Sequence, residues 1–215
     1  MSTTITSDLK EKWISFRRQH PKTRIRDAAR ALAVSEGQLV AACTGPGVIR
    51  LQHAYPLLLQ RMPALGKVMA LTRNESCVIE RKGIFEDVRT SSRHVGVVVG
   101  KDIDLRMFFS KWIYGFAVQD DDALGFRRSL QVFDGQGNAV IKIYAQAATD
   151  LAAWDQLVQE FTAEDQPDTI EILPAPLPQV YADTVDEAAF LQHWSALQDT
   201  HDFFPMLSKY KLSVV

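Results

Sequence analysis

Leu9, Trp13 and Phe16, followed by His20, recur at three- and four-residue steps until Pro21 breaks the pattern, so the spacing predicts an amphipathic helix opened by Ser7 and Asp8. Two shorter helices are expected over residues 25–32 and 36–42, the second closed by Gly45 and Pro46. From about Gly66 the period changes. β-Branched and aromatic runs between Asn, Gly and Ser predict strands at 68–71, 77–80, 84–88, 95–99, 112–119, 129–134 and 139–145. The last two are joined through 135–138 as a hairpin. Thr149 is placed as the cap of a helix carrying Leu151, Trp154, Leu157, Val158 and Phe161 on one side. The expected class is α+β, a large antiparallel meander sheet flanked by N-terminal and C-terminal helices.

Pro174, Pro176 and Pro178, at alternate positions, give a stiff extended connector. Beyond it, Thr184 and Glu187 form a capping-box pattern before a helix through Phe190, Leu191, Trp194 and Leu197. Laying this segment on the first helix aligns Trp194 with Trp13, Leu197 with Phe16 and His201 with His20 at one constant offset. The expected organisation is therefore a first unit over 1–172, a proline-rich linker over 173–183, and the opening helices of a second copy over 184–215.

The 215 residues are 47% apolar and 23% charged, which suits a folded globular chain. No apolar run approaches the roughly 18 residues of a membrane span, and residues 1–10 lack a signal-peptide core, so a cytoplasmic location is expected. Cys43 and Cys77 form no disulfide framework or zinc pattern and are expected to be buried, inert thiols. Charge is asymmetric. Eight Lys and Arg residues lie between Lys10 and Arg30, whereas 143–208 has twelve acids and no Lys or Arg. The basic end reads as a solvated helix face or as a holder of carboxylates or phosphates.

No nucleophile elbow, phosphate loop, dinucleotide fingerprint or metalloprotease motif is present, so hydrolase, kinase and dinucleotide chemistry lack support. Among the five histidines, His201 stands out because it ends a helix beside Phe203, Phe204, Met206 and Leu207. An imidazole next to flat apolar side chains is what an axial haem ligand requires, although a helix-end histidine beside Asp202 also reads as a surface hydrogen-bonding group. Arg106 lies in the apolar segment DIDLRMFF. It reads either as an ion-pair partner of Asp102 or Asp104, or as a donor aimed into a pocket to hold a propionate or a water.

Residues 9–42, LGKVMALTRNE at 65–75, Asp104-Leu105-Arg106 with Trp112, SLQVFD at 129–134, Lys142-Ile143-Tyr144 and DTHDFF at 199–204 together resemble the HemS-type cytoplasmic haemin-utilisation family. That resemblance implies two similar halves, each an antiparallel sheet with flanking helices, and haem in a cleft between them. It implies that His201 is the proximal iron ligand and that Arg106 is the distal arginine; with His201 as the ligand, Phe204 and Met206 are placed against the ring. It further implies receipt of imported haem and transfer to a haem oxygenase or storage site, with degradation and iron release in some members; a reductase is a further expected partner. The chain departs from the family pattern at Ile79 and Ile141, where members often carry histidine, and it stops near the start of the second half.

Two other readings follow from the residues. A half-protein offers one wall of a cleft, so it would bind haem weakly or act by docking on a partner, unless a homodimer supplies the second wall. Residues 25–42 also resemble a helix-turn-helix, but no Lys or Arg falls in 31–49 and Glu36 would face phosphates, which argues against nucleic acid.

Overall fold

Among the described residues there are seven helices and nine strands, and in the first unit the sheet, not the helices, organises the core. The computed structural model describes residues 3–90, 94–122, 125–174, 184–198 and 202–212, and divides into two units, Met1–Pro174 and Ala175–Val215. Helix α1 (Thr3–Gln19) begins earlier than Ser7 and Asp8 predict; Asp8 lies within it and pairs with Lys12 one turn on, at 2.6 Å. Trp13 packs with Ala28 and Ala29 of α2 (Ile25–Ala31) and Leu39 of α3 (Glu36–Ala41) in a small apolar cluster of its own. A capping box fixes the start of α3, with Gln38 N–H donating to Ser35 Oγ at 3.2 Å and Ser35 N–H to Gln38 Oε1 at 2.9 Å.

The large sheet has the order β1-β7-β8-β9-β2-β3, antiparallel throughout, built from β1 (Val48–Leu51), β2 (Gly66–Arg73), β3 (Val78–Gly83), β7 (Tyr114–Asp122), β8 (Gly125–Phe133) and β9 (Ala139–Thr149). The β8–β9 hairpin falls where Gly135–Asn138 predict it, with Asp134 N–H donating to Asn138 O at 2.9 Å. Alternation sorts the faces. Ala70, Ile143 and Leu130 sit side by side on one of them and join Leu58 and Leu59 of α4 (Tyr55–Arg61) and Trp154 and Leu157 of α5 (Leu151–Phe161) in the main core. Leu71, Lys142 and Gln131 sit side by side on the other, where α3 docks through Glu36.

A second sheet of three strands, β4 (Val88–Arg89), β5 (Val95–Val99) and β6 (Asp104–Phe108), stands apart from the first. The strand expected over 84–88 shrinks to the pair Val88–Arg89, because the preceding chain turns to bury Phe85 completely. Helix α5 is capped by Asp150, which accepts from Ala152 and Ala153 N–H, and not by Thr149. Thr149 still closes β9, its hydroxyl bonding Lys67 O and accepting from Gln146 N–H. The cysteines also depart from expectation, Cys43 being half-buried and Cys77 exposed in the β2–β3 turn.

In the second unit, α6 (Glu187–Ser195) is capped by Asp186 accepting from Ala189 N–H, so Thr184 is not its cap. Helix α7 (Phe203–Lys209) follows. Edge-to-face contacts link Phe190 to Trp194 and Tyr210, and Trp194 to Phe203. Residues 175–183 of the proline-rich connector lie outside the described residues. No helix among the described residues is long and apolar enough to cross a membrane.

Candidate functional site

Arg106 occupies the middle of β6, and strand alternation puts Asp104 and Phe108 on its face and Leu105 and Met107 on the other. Met107 and Val98 enter the main core with Ile103, Phe109 and Trp112, which anchors the small sheet and aims its opposite face outward. Gly96 permits this anchoring, since a Cβ there would come within 2.6 Å of the Phe109 ring. Register places Val97 directly opposite Arg106, Val95 opposite Phe108 and Val99 opposite Asp104. The outward face is thus a valine strip beside a phenylalanine that is 54% exposed, with one guanidinium between them.

That guanidinium makes no ion pair or hydrogen bond with a described residue, so the ion pair with Asp102 or Asp104 is not formed. The next arginine on the same face, Arg89, lies across Val97 and is instead matched by Asp87. Their hydrogen bond holds the Asp87 carboxyl below the usual aspartate range and raises Arg89. Among the described residues, Arg106 is therefore the cation of this face that no carboxylate matches. Phe108 escaped the sequence reading. The signal for it was present, because its two-residue spacing from Arg106 fixes a shared face once a strand is assigned.

The second unit carries the other expected residues. His201 lies outside the described residues, and of Phe204 only the backbone, in α7, is described. Met206 is 4% exposed and lines a cleft of about 430 Å³ with His193, Leu197, Asp202, Pro205 and Lys209. His193 is half-buried; Tyr210 donates its hydroxyl proton to Ala189 O at 2.9 Å and its oxygen lies 3.3 Å from His193 Nδ1. The phenol oxygen thus accepts from Nδ1–H, and Nε2 keeps its lone pair. No group of three or more His, Cys, Asp or Glu suited to a metal ion occurs among the described residues.

The helix-turn-helix reading fails on packing. Glu36, Leu39, Val40 and Ala41 of α3 are buried, so the would-be recognition helix has no free face of the kind a groove requires.

Comparison with known proteins agrees with this architecture. A family model described as "Haemin-degrading HemS.ChuX domain" matches residues 33–161. Hemin transport protein HmuS of Yersinia pestis is 30% identical over 97% of this chain, which spans 60% of that relative's length. The structure of holo-PhuS, a heme-binding protein from Pseudomonas aeruginosa, is similar with a TM-score of 0.87 and 40% identity, covering 96% of this chain and 61% of that one. The heme-degrading enzyme ChuS of Escherichia coli O157:H7 gives 0.79 and 29%, covering 97% and 60%. With the family model matching more than half of the chain, around a core whose sheet carries an outward arginine on a valine strip, this protein belongs to the haemin-degrading HemS/ChuX domain family.

Proposed function

We propose that this chain binds haem for iron utilisation in the cytoplasm and hands it to an acceptor, such as a haem oxygenase. The observation that carries the reading is Arg106, an exposed and uncompensated cation set in the apolar strip of Val95, Val97, Val99 and Phe108. A porphyrin presents flat apolar surface with carboxylates at one edge. The strip suits the first and the guanidinium the second, or a water on the far side of the iron. Met206, buried at the cleft of the second unit, suits the ring face there, with Phe204 two residues before it. His201 supplies the iron ligand in this reading.

Bound haem would bring redox-active iron to the site; the chain's own residues supply orientation, apolar cover and charge neutralisation. Degradation in place is the second reading, favoured by the family model and by the heme-degrading relative, and it requires an electron donor such as a reductase. A second copy of this chain in a homodimer is a further element of the proposal, as a second wall against the haem.

Titration with haemin tests the reading. The expected result is a histidine-type Soret band in the wild type that is lost in His201→Ala and kept in His193→Ala. Equal spectra in all three proteins would reject His201 as the ligand. Ascorbate under oxygen then separates the two outcomes, since only degradation bleaches the Soret band and releases iron.

A further inference from the structure

The outward face of the small sheet is laid out in rows. Register sets Arg89, Val97 and Arg106 side by side across β4, β5 and β6. One valine therefore separates two arginines whose backbones stand two strand spacings apart, about 10 Å. One row along, Val99 lies directly opposite Asp104 on one side and donates its N–H to Asp87 O at 3.4 Å on the other. In the opposite direction, Val95 faces Phe108. The face thus runs from an acidic row through a basic row to an apolar one.

The two cations of the basic row are not equivalent. Arg106 bonds to no described residue, whereas Arg89 is covered by its own chain: Nε–H donates to Asp87 Oδ1 at 2.9 Å and Nη2–H donates to Oδ2. That is the two-pronged geometry in which a guanidinium takes any carboxylate. It is reached because Asp87 has φ +37°, a left-handed conformation that aspartate tolerates and that turns its side chain back onto a residue two positions on. Both side chains stay largely in water, 64% exposed for Arg89 and 47% for Asp87, so the contact is weak and open to exchange. A carboxylate arriving from solution replaces Asp87 like for like.

We propose that Arg89 is the second carboxylate holder of this face and that Asp87 is its internal stand-in, displaced when the two propionates of a porphyrin settle on Arg89 and Arg106 together. The inference rests on the haem reading above and adds to it a second contact, an orientation and a built-in competitor. Two carboxylates on one edge of a flat ring match two cations in one row with a valine between them. Asp87 and Asp104 repel those carboxylates from the far side, so the ring lies over Val95 and Phe108 and not over the acids. A ligand with a single carboxylate gains nothing by displacing Asp87, because Arg106 already offers it an unmatched guanidinium. The competitor thereby favours ligands that carry two.

The experiment titrates the full chain with metal-free protoporphyrin IX, whose binding is read by its own fluorescence and needs no iron ligand, and with its dimethyl ester. Arg89→Met should weaken protoporphyrin IX by about fivefold or more, the loss of one charge-assisted contact. Asp87→Asn should tighten it about two- to fivefold, because asparagine keeps the left-handed turn but not the charge. That gain is one that misfolding cannot imitate. Adding Asp87→Asn to Arg89→Met should bring no gain, since Asp87 acts only through Arg89, and the dimethyl ester should be indifferent to all three variants. Unchanged affinity in Arg89→Met, weaker binding in Asp87→Asn, or the same responses from the ester would overturn the proposal. Arg106→Ala tells its failure from that of the haem reading. A loss in Arg106→Ala with none in Arg89→Met overturns the role of Arg89 alone, whereas a wild type that does not bind protoporphyrin IX, or binds it equally well without Arg106, overturns the porphyrin face and this proposal with it.

Discussion

Glu36 and Lys142 form an ion pair with both side chains almost wholly out of water, 8% and 9% exposed. The pair joins the N-terminal end of α3 to the middle of β9, on the face of the large sheet opposite the main core. Two charges cannot be left there singly. Removing one partner strands an uncompensated charge, at a cost of about 3–5 kcal/mol, whereas removing both deletes the desolvation penalty along with the attraction. Lys142→Met should therefore lower stability by that amount in urea denaturation. Lys142→Met combined with Glu36→Gln should recover most of it. If the double variant is as unstable as the single one, the pair is not the element that docks α3.

A second prediction concerns the turn that α3 leans on. Gly137 has φ +77°, and a Cβ on it would fall 2.1 Å from Ser35 Oγ, the hydroxyl that caps α3. Gly137→Ala should lose both the relaxed backbone and the cap, about 2 kcal/mol or more together. Gly45→Ala is the comparison. Its φ of +136° is equally foreign to alanine, but its Cβ would meet nothing within 4 Å. Equal losses in the two variants would assign the whole effect to backbone strain and none to the Ser35 contact.

The α+β class, the β8–β9 hairpin and the apolar stripe of α5 were legible because each rests on local periodicity or turn chemistry. Residues 48–61 were not. β1 has only four residues, and α4 opens without a side-chain cap and with Pro56 in its first turn, so neither carries a start signal of the kind that marks α3. Thr149 and Thr184 read as caps in the sequence, whereas Asp150 and Asp186, one and two residues on, hold the position; a candidate cap cannot be told from its neighbour until the strand or loop before it ends. The same limit applied to Arg106. Its residue type pointed to a site, but whether Asp104 would neutralise it depended on strand alternation. That alternation sends both side chains to one face, with Val97 directly opposite the arginine and no ion pair formed.

Arg106 and Phe108 give a third prediction. Both are exposed, and the guanidinium bonds to no described residue, so Arg106→Ala should leave the urea midpoint within about 0.5 kcal/mol of wild type. Haem affinity should fall about tenfold, the scale of one lost charge-assisted contact, with partial recovery in Arg106→Lys. Phe108→Ala should weaken haem without altering the position of the Soret band, because it removes apolar cover and not a ligand. A tenfold loss of haem accompanied by a large loss of stability would instead make Arg106 a structural residue.

The two thiols should behave differently, in reactivity and in their effect on stability. Cys77 is exposed in the β2–β3 turn, whereas Cys43 is half-buried among the helices of the N-terminal cluster. Burial pushes the Cys43 thiol above the usual range, and the nearby cations Lys10 and Arg17 offset only part of that. Under native conditions a disulfide reagent should label Cys77 quickly and Cys43 slowly, as peptide mass spectrometry would show. Because the folded pKa of Cys43 is the higher one, its contribution to stability is complete below the unfolded value of about 8.5 and is lost as pH rises through the folded value. Between about pH 8 and 9.5 the urea midpoint of the wild type should therefore fall more than that of Cys43→Ala, before the still more deeply buried phenol of Tyr55, raised by the same cause, begins to contribute. Parallel pH profiles for the two proteins would show that the Cys43 thiol titrates as freely when folded as when unfolded.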